Sequence, residues 1–504
     1  MGEKKETALE PIAERISVDT FGGRVHVEWD PAAAVTPLGQ LAFFVEFLKV
    51  SGVFDAWVDS CPLDYTSPNA PSKRDILGTF LLSILAGQNR YAHITSIRGD
   101  GVNPGLLGMK KVVSEDAARR SLDHIDEAQG TAWMEDHLRR CTEPLLDTPW
   151  ILDADATIKT LYGKQEGAVV GYNPHKPGRP SHSYHSFFMS NTRLALSVDV
   201  QPGNRTAAKY SAPGLWAFIE KTPKNRWPKI IRGDAAYGVD PIMSQAESLG
   251  ILYLFKLRLT TNVRRLIEKT FQNTDWVDAG QGWEGVEDRL QLTGWEKSRR
   301  VVVLRRELRG EIVLNTKDNR QIDLSFVEAD APFKRYEYAV LVTSLGDEIL
   351  AVAQCYRDRA DAENNFDELK NQWGWAGFTT QDLKRCRLSA GMVALIYNWW
   401  SLFVRLANPN KHHEAITSRP LLLNAVAKQT RHSGQTTVTI TSTHAKIAQI
   451  QVILARLSAF LRSLKESAEQ LTTAQRWAAI LRHAFRKFMA NYAPKPALAA
   501  FSSA

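Results

Sequence analysis

Cysteine is scarce in this chain of 504 residues, which has only four, and none of them forms a C-x-x-C pair. That spacing argues against structural zinc and favours a reducing compartment. The sequence has no run of 18 apolar residues, so we expect no membrane span. No apolar segment follows the charged start at residues 1–5, so we expect no signal peptide either. Together these absences favour a cytoplasmic protein.

Acidic residues are scarce beyond residue 380, where 17 Lys and Arg stand against 4 Asp and Glu. The whole chain carries a net charge of +8, so the part before residue 380 is mildly acidic. A basic C-terminal region favours a polyanionic partner such as nucleic acid. The alternative is a basic helical domain that packs against the acidic body of the same chain.

The stretch from Cys355 to Lys370 is dense in charge and lacks Pro and Gly, which predicts one continuous helix. On a helical wheel Tyr356, Arg359, Glu363 and Lys370 share a stripe roughly 60° wide. Glu363 is suited to holding a divalent cation through oxygen, and the two cationic side chains are suited to phosphate. The alternative is a solvated helix face, because Arg and Glu four residues apart are an ordinary surface pair.

Two further acidic positions follow predicted strands. Residues 150–158 predict a buried strand, and Asp153 and Asp155 alternate on one of its faces. Carboxylates there are costly unless they are paired or bind metal. Asp234 follows a predicted strand at 229–233, at the end where open α/β sheets place their sites. The alternatives are an aspartate satisfied at a strand end and, for Gly233-Asp234, an ordinary turn.

These residues carry a resemblance to a known family. Tyr356, Arg359, Glu363 and Lys370 match the Y-(2)-R-(3)-E-(6)-K signature of the DDE transposases of bacterial insertion sequences, with every gap correct. Asp155-Ala156-Thr157 resembles the first catalytic motif of that family. Asp234, with an aromatic residue and a glycine soon after it, resembles the second. The resemblance favours Asp155 over Asp153 as the first ligand, and Asp153 stays open as the alternative.

The order of predicted elements, three strands, helix, strand, helix and strand, fits a ribonuclease-H-like plan, and the resemblance implies the same. The expected fold class is therefore an α/β ribonuclease-H-like catalytic core, interrupted by a β-rich insertion and flanked by helical N- and C-terminal domains. The insertion has strand-like segments at 299–304, 311–315, 321–327 and 336–343. The expected divisions are 1–145 (helical, DNA-binding), 146–257 (first part of the core), 258–345 (insertion), 346–380 (core helix with the catalytic Glu) and 381–504 (basic, helical, with DNA and dimer contacts).

The N-terminal region contains one weak DNA-binding signal. A short basic turn precedes Ser114, a good N-cap, and Arg119 and Arg120 follow on the predicted helix. This pattern resembles the second helix of a helix-turn-helix, which enters a major groove. A plain helical bundle is the alternative.

The resemblance also implies the chemistry. Asp155, Asp234 and Glu363 would hold two Mg²⁺ ions, which Mn²⁺ can replace, and Tyr356, Arg359 and Lys370 would position phosphates. The partners would be double-stranded DNA, at element ends and target, and a second copy of the chain in a DNA-bound homodimer. No membrane partner is expected, and the location would be the bacterial cytoplasm at the nucleoid. An insertion tryptophan would stack a flipped base if a hairpin forms, but which one stays open.

The expected function is a DNA transposase that binds terminal inverted repeats and carries out metal-dependent strand cleavage and strand transfer. Two alternatives remain from the sequence. One is a ribonuclease-H-like nuclease that does not integrate DNA, and the other is a domesticated, non-catalytic DNA-binding protein.

Overall fold

The computed structural model describes residues 15–65, 67–173, 176–205, 210–308, 326–327, 335–375, 377–378, 380–410, 412–467 and 470–486. The α-helices of this part are α1 Leu41–Ser51, α2 Val53–Asp59, α3 Lys73–Leu85, α4 Asn103–Leu106, α5 Glu115–Ser121, α6 Glu127–Thr142, α7 Ala212–Glu220, α8 Asp240–Leu249, α9 Thr261–Thr270, α10 Ile349–Arg357, α11 Ala360–Asn371, α12 Leu383–Ala407, α13 Ala415–Leu422, α14 Ile447–Lys465 and α15 Thr473–Ala484. The strands are β1 Ile16–Thr20, β2 Gly23–Val27, β3 Val35–Thr36, β4 Ile151–Thr160, β5 Val169–Val170, β6 Pro180–Met189, β7 Leu194–Pro202, β8 Ile230–Gly233, β9 Leu252–Lys256, β10 Val277–Gly280, β11 Trp283–Leu290, β12 Arg299–Glu307, β13 Phe326–Val327, β14 Arg335–Thr343, β15 Val426–His432 and β16 Gln435–Thr441.

One large mixed sheet organises the molecule. Its strands follow the order β10-β11-β12-β14-β9-β8-β4-β6-β5, with β7 also paired to β6 and β13 paired to β14. The pairs β4–β8 and β8–β9 are parallel, and the other pairs of this sheet are antiparallel. The segment after β9 therefore continues the same sheet through β14 and does not form a separate one. The predicted strands at 299–304 and 336–343 are present within β12 and β14, whereas residues 311–315 and most of 321–327 lie outside the described part.

Helix α12 lies at the centre of the helical layer. Most of its 25 residues are buried, as expected for a helix that is apolar on every side. It packs against β7 of the sheet, against α6 and α3 from the N-terminal region, and against α14 and α15 from the C-terminal region. The Trp57 ring stacks on the Trp133 ring and makes a T-shaped contact with the Trp399 ring. In each pair the ring centroids lie 5.5 Å apart. The helices from the two ends of the chain therefore share one core.

The predicted helix start at Ser114 is confirmed, because its hydroxyl accepts a hydrogen bond from the Ala117 N–H at the start of α5. Ser72 caps α3 in the same way and accepts a hydrogen bond from the Asp75 N–H. Each cap satisfies a backbone donor that the first helical turn leaves without an intrahelical partner.

Two expectations about secondary structure were wrong. The stretch from Cys355 to Lys370 is not one helix, because α10 ends at Arg357 and α11 begins at Ala360. The C-terminal region is not wholly helical, because β15 and β16 form a hairpin that pairs with β3. The helical-wheel stripe of the sequence argument therefore does not describe one straight helix.

Two helices, α12 and α14, are long and apolar enough to cross a membrane by length and composition. The apolar window of α12 is 89% buried inside the protein, whereas that of α14 is 22% buried. The core position of α12 accounts for its composition without a membrane.

Candidate active site

Asp155 lies in the middle of the large sheet, on β4 between β6 and β8. Its side chain is buried. Its Oδ2 accepts a hydrogen bond from Arg359 Nη2 over 2.6 Å, and its Oδ1 accepts one from the Ala156 N–H over 2.8 Å. Because strand residues two apart face the same side, Asp153 and Thr157 share this face of β4 with Asp155.

Asp153 has a partner of its own. Its two carboxylate oxygens each accept a hydrogen bond of 2.7 Å from Arg232, and both side chains are almost completely buried. Arg232 also donates to Ser190 Oγ over 2.6 Å and to the Cys355 carbonyl. A buried carboxylate held by two charge-assisted bonds needs no metal to offset its desolvation.

Asp234 lies beside Asp155 at the edge where the parallel strands end. The last pair between β4 and β8 is Ala154 with Gly233, so Asp155 and Asp234 are the next residues of two adjacent parallel strands. Such strands lie about 4.8 Å apart. The Asp234 Oδ1 accepts a hydrogen bond of 2.9 Å from the Ala236 N–H, which forms the tight turn after β8. The structure thus brings two of the three predicted acidic residues together.

The turn after β8 is shaped by Tyr237. Its ring is fully buried, and its hydroxyl lies 2.8 Å from Ser211 Oγ. A Cβ atom on Gly233 would lie 2.8 Å from this ring, so the position requires glycine. Burial raises the pKa of the Tyr237 hydroxyl, and the negative charges of Asp155 and Asp234 raise it further. The tyrosine therefore lies within electrostatic range of both carboxylates.

Helix α11 is fixed on β4 at both of its ends. Arg359, which precedes its first residue, contacts Asp155, and near its end Lys370 Nζ donates to Thr157 Oγ1 over 3.1 Å. Burial lowers the pKa of Lys370, and the charge of Asp367 partly offsets this effect. Glu363 lies on α11 between these two contacts, and its side chain is outside the described part of the chain.

Tyr356 is on α10, across the break from Arg359. The Arg359 guanidinium carbon lies 5.9 Å from the centre of the Tyr356 ring, within the range of a cation–π contact. Tyr356, Arg359 and Lys370 therefore surround the face of β4 that bears Asp155, although they do not share one helix. Among the described residues there is no group of three His, Cys, Asp or Glu side chains that could hold a metal, and that search does not include the Glu363 side chain.

Arg119 and Arg120 lie far along the chain from these contacts, on the seven-residue helix α5. Both side chains are exposed, and Arg119 forms an ion pair with Asp116 in the preceding turn. The buried residues of α5 are Ala118 and Ser121. The two arginines thus face solvent, as expected, and their role in DNA binding remains a prediction.

Three tryptophans of the predicted insertion, Trp276, Trp283 and Trp295, are the candidates for stacking a flipped base, and they differ in their surroundings. Trp295 is buried and packs on Arg299. The Trp276 and Trp283 rings lie 4.0 Å and 4.8 Å from the guanidinium carbons of Arg305 and Arg306 respectively. These contacts do not assign a stacking role to any one of them.

Two residues that hold the site in place, Arg232 and Glu368, were not predicted from the sequence. Glu368 is fully buried on α11 and accepts hydrogen bonds from Trp373 Nε1 and the Ala415 N–H. Arg232 stands two residues before Asp234 on a predicted strand, and that position was the one available signal for it.

Comparison with known proteins gives the family. The family model described as Transposase DDE domain group 1 matches residues 66–462, most of the chain. The chain belongs to this family of DDE transposases.

No curated protein matches the chain. Seven chains of solved structures match it, and one is the cryo-EM structure of the piggyBac transposase synaptic complex with hairpin DNA. That structure is 12% identical, with 91% of this chain and 86% of that chain covered, at a TM-score of 0.36.

Proposed function

We propose that this protein is a DNA transposase that binds the terminal inverted repeats of an insertion sequence and carries out metal-dependent strand cleavage and strand transfer. The observation that carries the proposal is the position of Asp155 and Asp234 on the adjacent parallel strands β4 and β8, each one residue past the last pair that joins them. Membership of the DDE transposase family supports it, since that chemistry needs carboxylates drawn together from distant parts of the chain.

The strand order supports a ribonuclease-H-like core. Strands β7, β6, β4, β8 and β9 lie side by side, with antiparallel pairs on one side of β4 and parallel pairs on the other. This order follows the predicted sequence of three strands, helix, strand, helix and strand. On this assignment, residues 258–345 are an insertion between β9 and α10, and β14 joins them to the core sheet.

The donor set fits Mg²⁺ or Mn²⁺. Asp155 and Asp234 offer carboxylate oxygens, and Mg²⁺ is commonly held by one or two protein carboxylates together with substrate phosphates and waters. Glu363 is the third proposed ligand, from its place on α11. When bound, two such ions supply activation of the attacking hydroxyl and stabilisation of the leaving oxygen. We assign Asp155 and not Asp153, because both oxygens of Asp153 are held by Arg232, whereas Asp155 lies beside Asp234.

The cations of the site are proposed to position the scissile strand. Arg359 and Lys370 contact the same face of β4, where Arg359 is buried and Lys370 is half-buried. A cation in a partly desolvated site interacts more strongly with phosphate than it does in bulk water. Tyr356 packs on Arg359 and would orient its guanidinium. The basic C-terminal region and the exposed Arg119 and Arg120 would extend DNA contacts beyond the site, in a homodimer on paired element ends at the bacterial nucleoid.

The first experiment uses the DNA that flanks the gene. Sequencing it identifies the terminal inverted repeats, and a labelled duplex carrying one end is incubated with the protein and Mg²⁺. Joined products support the transposase. Cleavage without joining would favour a nuclease that does not integrate, and a mobility shift without cleavage would favour a non-catalytic DNA-binding protein.

The second experiment tests the ligand set. We expect Glu363→Gln to abolish cleavage while binding of the end duplex survives, because the variant removes one carboxylate and leaves the cationic surface intact. Glu348→Gln, which lies just before α10, is a matched control that changes the same charge. Normal cleavage by Glu363→Gln would show that the assignment is wrong.

A further inference from the structure

The β15–β16 hairpin is an isolated two-stranded ribbon over most of its length. Seven residue pairs join its strands, from Val426 with Thr441 to His432 with Gln435. Ser433 and Gly434 form the turn, both with positive φ, as a two-residue hairpin turn requires. The ribbon is roughly 23 Å long. Along its other edge, β15 pairs with the short β3, and only through Ala427 and Lys428.

The two faces of the ribbon differ. One face, which we call the outer face, consists of Val426, Lys428, Thr430, His432, Gln435, Thr437, Thr439 and Thr441, and every one of these residues is exposed. The opposite face holds Ala427, which is buried, and Val438 and Ile440, which are half-buried. The outer face is thus turned fully to solvent and consists mostly of threonine hydroxyls, together with one cation, Lys428.

The charge of the ribbon is uniformly positive. The sequence from Ala415 to Lys465 contains no Asp or Glu, and in the described part of the chain neither Lys428 nor Arg431 has a salt bridge. The exposed β1–β2 hairpin is different, because Arg24 pairs with Asp19 over 2.8 Å and Arg15 pairs with Glu28 over 2.7 Å. Both hairpins protrude, but only β15–β16 presents cations without acidic partners.

We propose that the outer face of β15–β16 is a contact surface for double-stranded DNA. A two-stranded ribbon fits the major groove of B-DNA. Lysine suits phosphate, and threonine suits both phosphate oxygens and, through its methyl group, thymine. A protein partner is the less suitable occupant, because Val426 is the only apolar residue of this face. The inference rests on the proposed function and gives it a specific DNA-binding element.

The base of the ribbon is connected to the catalytic region. Helix α13, which ends four residues before β15, packs against the end of α11. The Ala415 N–H donates to Glu368 over 3.0 Å, and Arg419 Nη1 donates to the Gln372 carbonyl over 2.7 Å. One short helix therefore joins the base of the ribbon to the end of α11.

The test compares Lys428→Glu with Arg24→Glu. Each variant places a glutamate on an exposed hairpin strand and makes the same change in net charge. Binding of the labelled end duplex is measured by fluorescence anisotropy over a range of salt concentrations, in EDTA so that no cleavage occurs. We expect Lys428→Glu to weaken binding about tenfold and to reduce the salt slope by about one. We expect Arg24→Glu to change affinity less than about twofold.

The outcomes separate this inference from the proposed function. Wild-type affinity and slope for Lys428→Glu would overturn the inference, and so would an equal loss for Arg24→Glu, since net charge alone would then explain both. A change in sedimentation of Lys428→Glu from dimer to monomer, with DNA binding unaltered, would overturn it in favour of a protein contact. Failure of the wild-type protein to join ends in Mg²⁺ would refute the proposed function and leave the binding result unaffected.

Discussion

Replacement of Asp153 or Asp155 by asparagine should produce two different defects. Both residues lie on one face of β4, yet Asp153 holds Arg232 through two bonds and Asp155 contacts Arg359. We expect Asp153→Asn to damage stability and Asp155→Asn to remove the response to metal. The pair of variants therefore tests which of the two carboxylates is the ligand.

The size of the first effect follows from the geometry. Asparagine has one acceptor oxygen and one NH₂ group, so at position 153 an NH₂ group would face an Arg232 N–H, and the buried guanidinium would lose its counter-charge. Breaking a buried ion pair in this way costs about 3–5 kcal/mol. In a protein of this size that cost corresponds to a fall in Tm of roughly 3–5 °C. An asparagine at position 155 keeps an acceptor for Arg359, so we expect a smaller fall.

The assay is thermal unfolding in EDTA and again in excess Mg²⁺. A metal bound only by the folded protein adds about 2.7 kcal/mol at a hundredfold excess over its Kd. Asp153→Asn should start from a lower Tm and keep this increment, whereas Asp155→Asn should lose it together with DNA cleavage. If Asp155→Asn keeps both and Asp153→Asn loses both, the assignment of Asp155 as ligand is wrong.

Two further predictions concern glutamates that accept several hydrogen bonds, Glu247 on α8 and Glu368 on α11. Burial alone would raise the pKa of Glu247, but hydrogen bonds from Arg299 and other donors lower it to about 2. The stability that Glu247 adds should therefore be complete above its unfolded pKa of about 4.5 and be lost as the pH falls toward 2. Urea unfolding across this pH range should show a loss of roughly 2 kcal/mol. Glu247→Gln should flatten the dependence, and an unchanged pH profile of the variant would contradict the prediction. Glu368→Ala should lower the Tm and raise the Mg²⁺ concentration needed for half-maximal cleavage, because the buried donors of Trp373 and Ala415 lose their acceptor. Glu368→Gln should recover part of both effects. A lower Tm with an unchanged Mg²⁺ requirement would limit Glu368 to a structural role.

The strands that carry Asp155 and Asp234 could be predicted from the sequence alone. The apolar run that contains Asp155 and the strand before Asp234 form as expected, and the two strands are adjacent and parallel. The choice between Asp153 and Asp155 was not available from residues alone, because it depends on Arg232, which lies 79 positions after Asp153. Partners that distant leave no local pattern.

The break between α10 and α11 also could not be predicted from the sequence. No Pro or Gly marks it, and both Asp358 and Arg359 keep right-handed helical backbone angles. Local propensity therefore favours a continuous helix, and the contact of Arg359 with Asp155, 204 positions away, accompanies the change of direction. The β15–β16 ribbon is a different case, because Ser433-Gly434 between β-branched residues is a local hairpin signal. The expectation of a helical C-terminal region followed the family resemblance and did not use that signal.

The face of β4 explains how a site assembled from such distant segments can be held together. Asp153, Asp155, Thr157 and Lys159 follow one another on that face, and together they bond to three other segments of the chain. Their partners are Arg232 at the end of β8, Arg359 and Lys370 at the two ends of α11, and Tyr184 on β6. Because β4 fixes β8 and α11 separately, Asp234 and Glu363 can stand 129 positions apart in the sequence while the strand end and the helix stay together. A site built in this way depends on the side chains of one strand, and less on the length of what connects its parts.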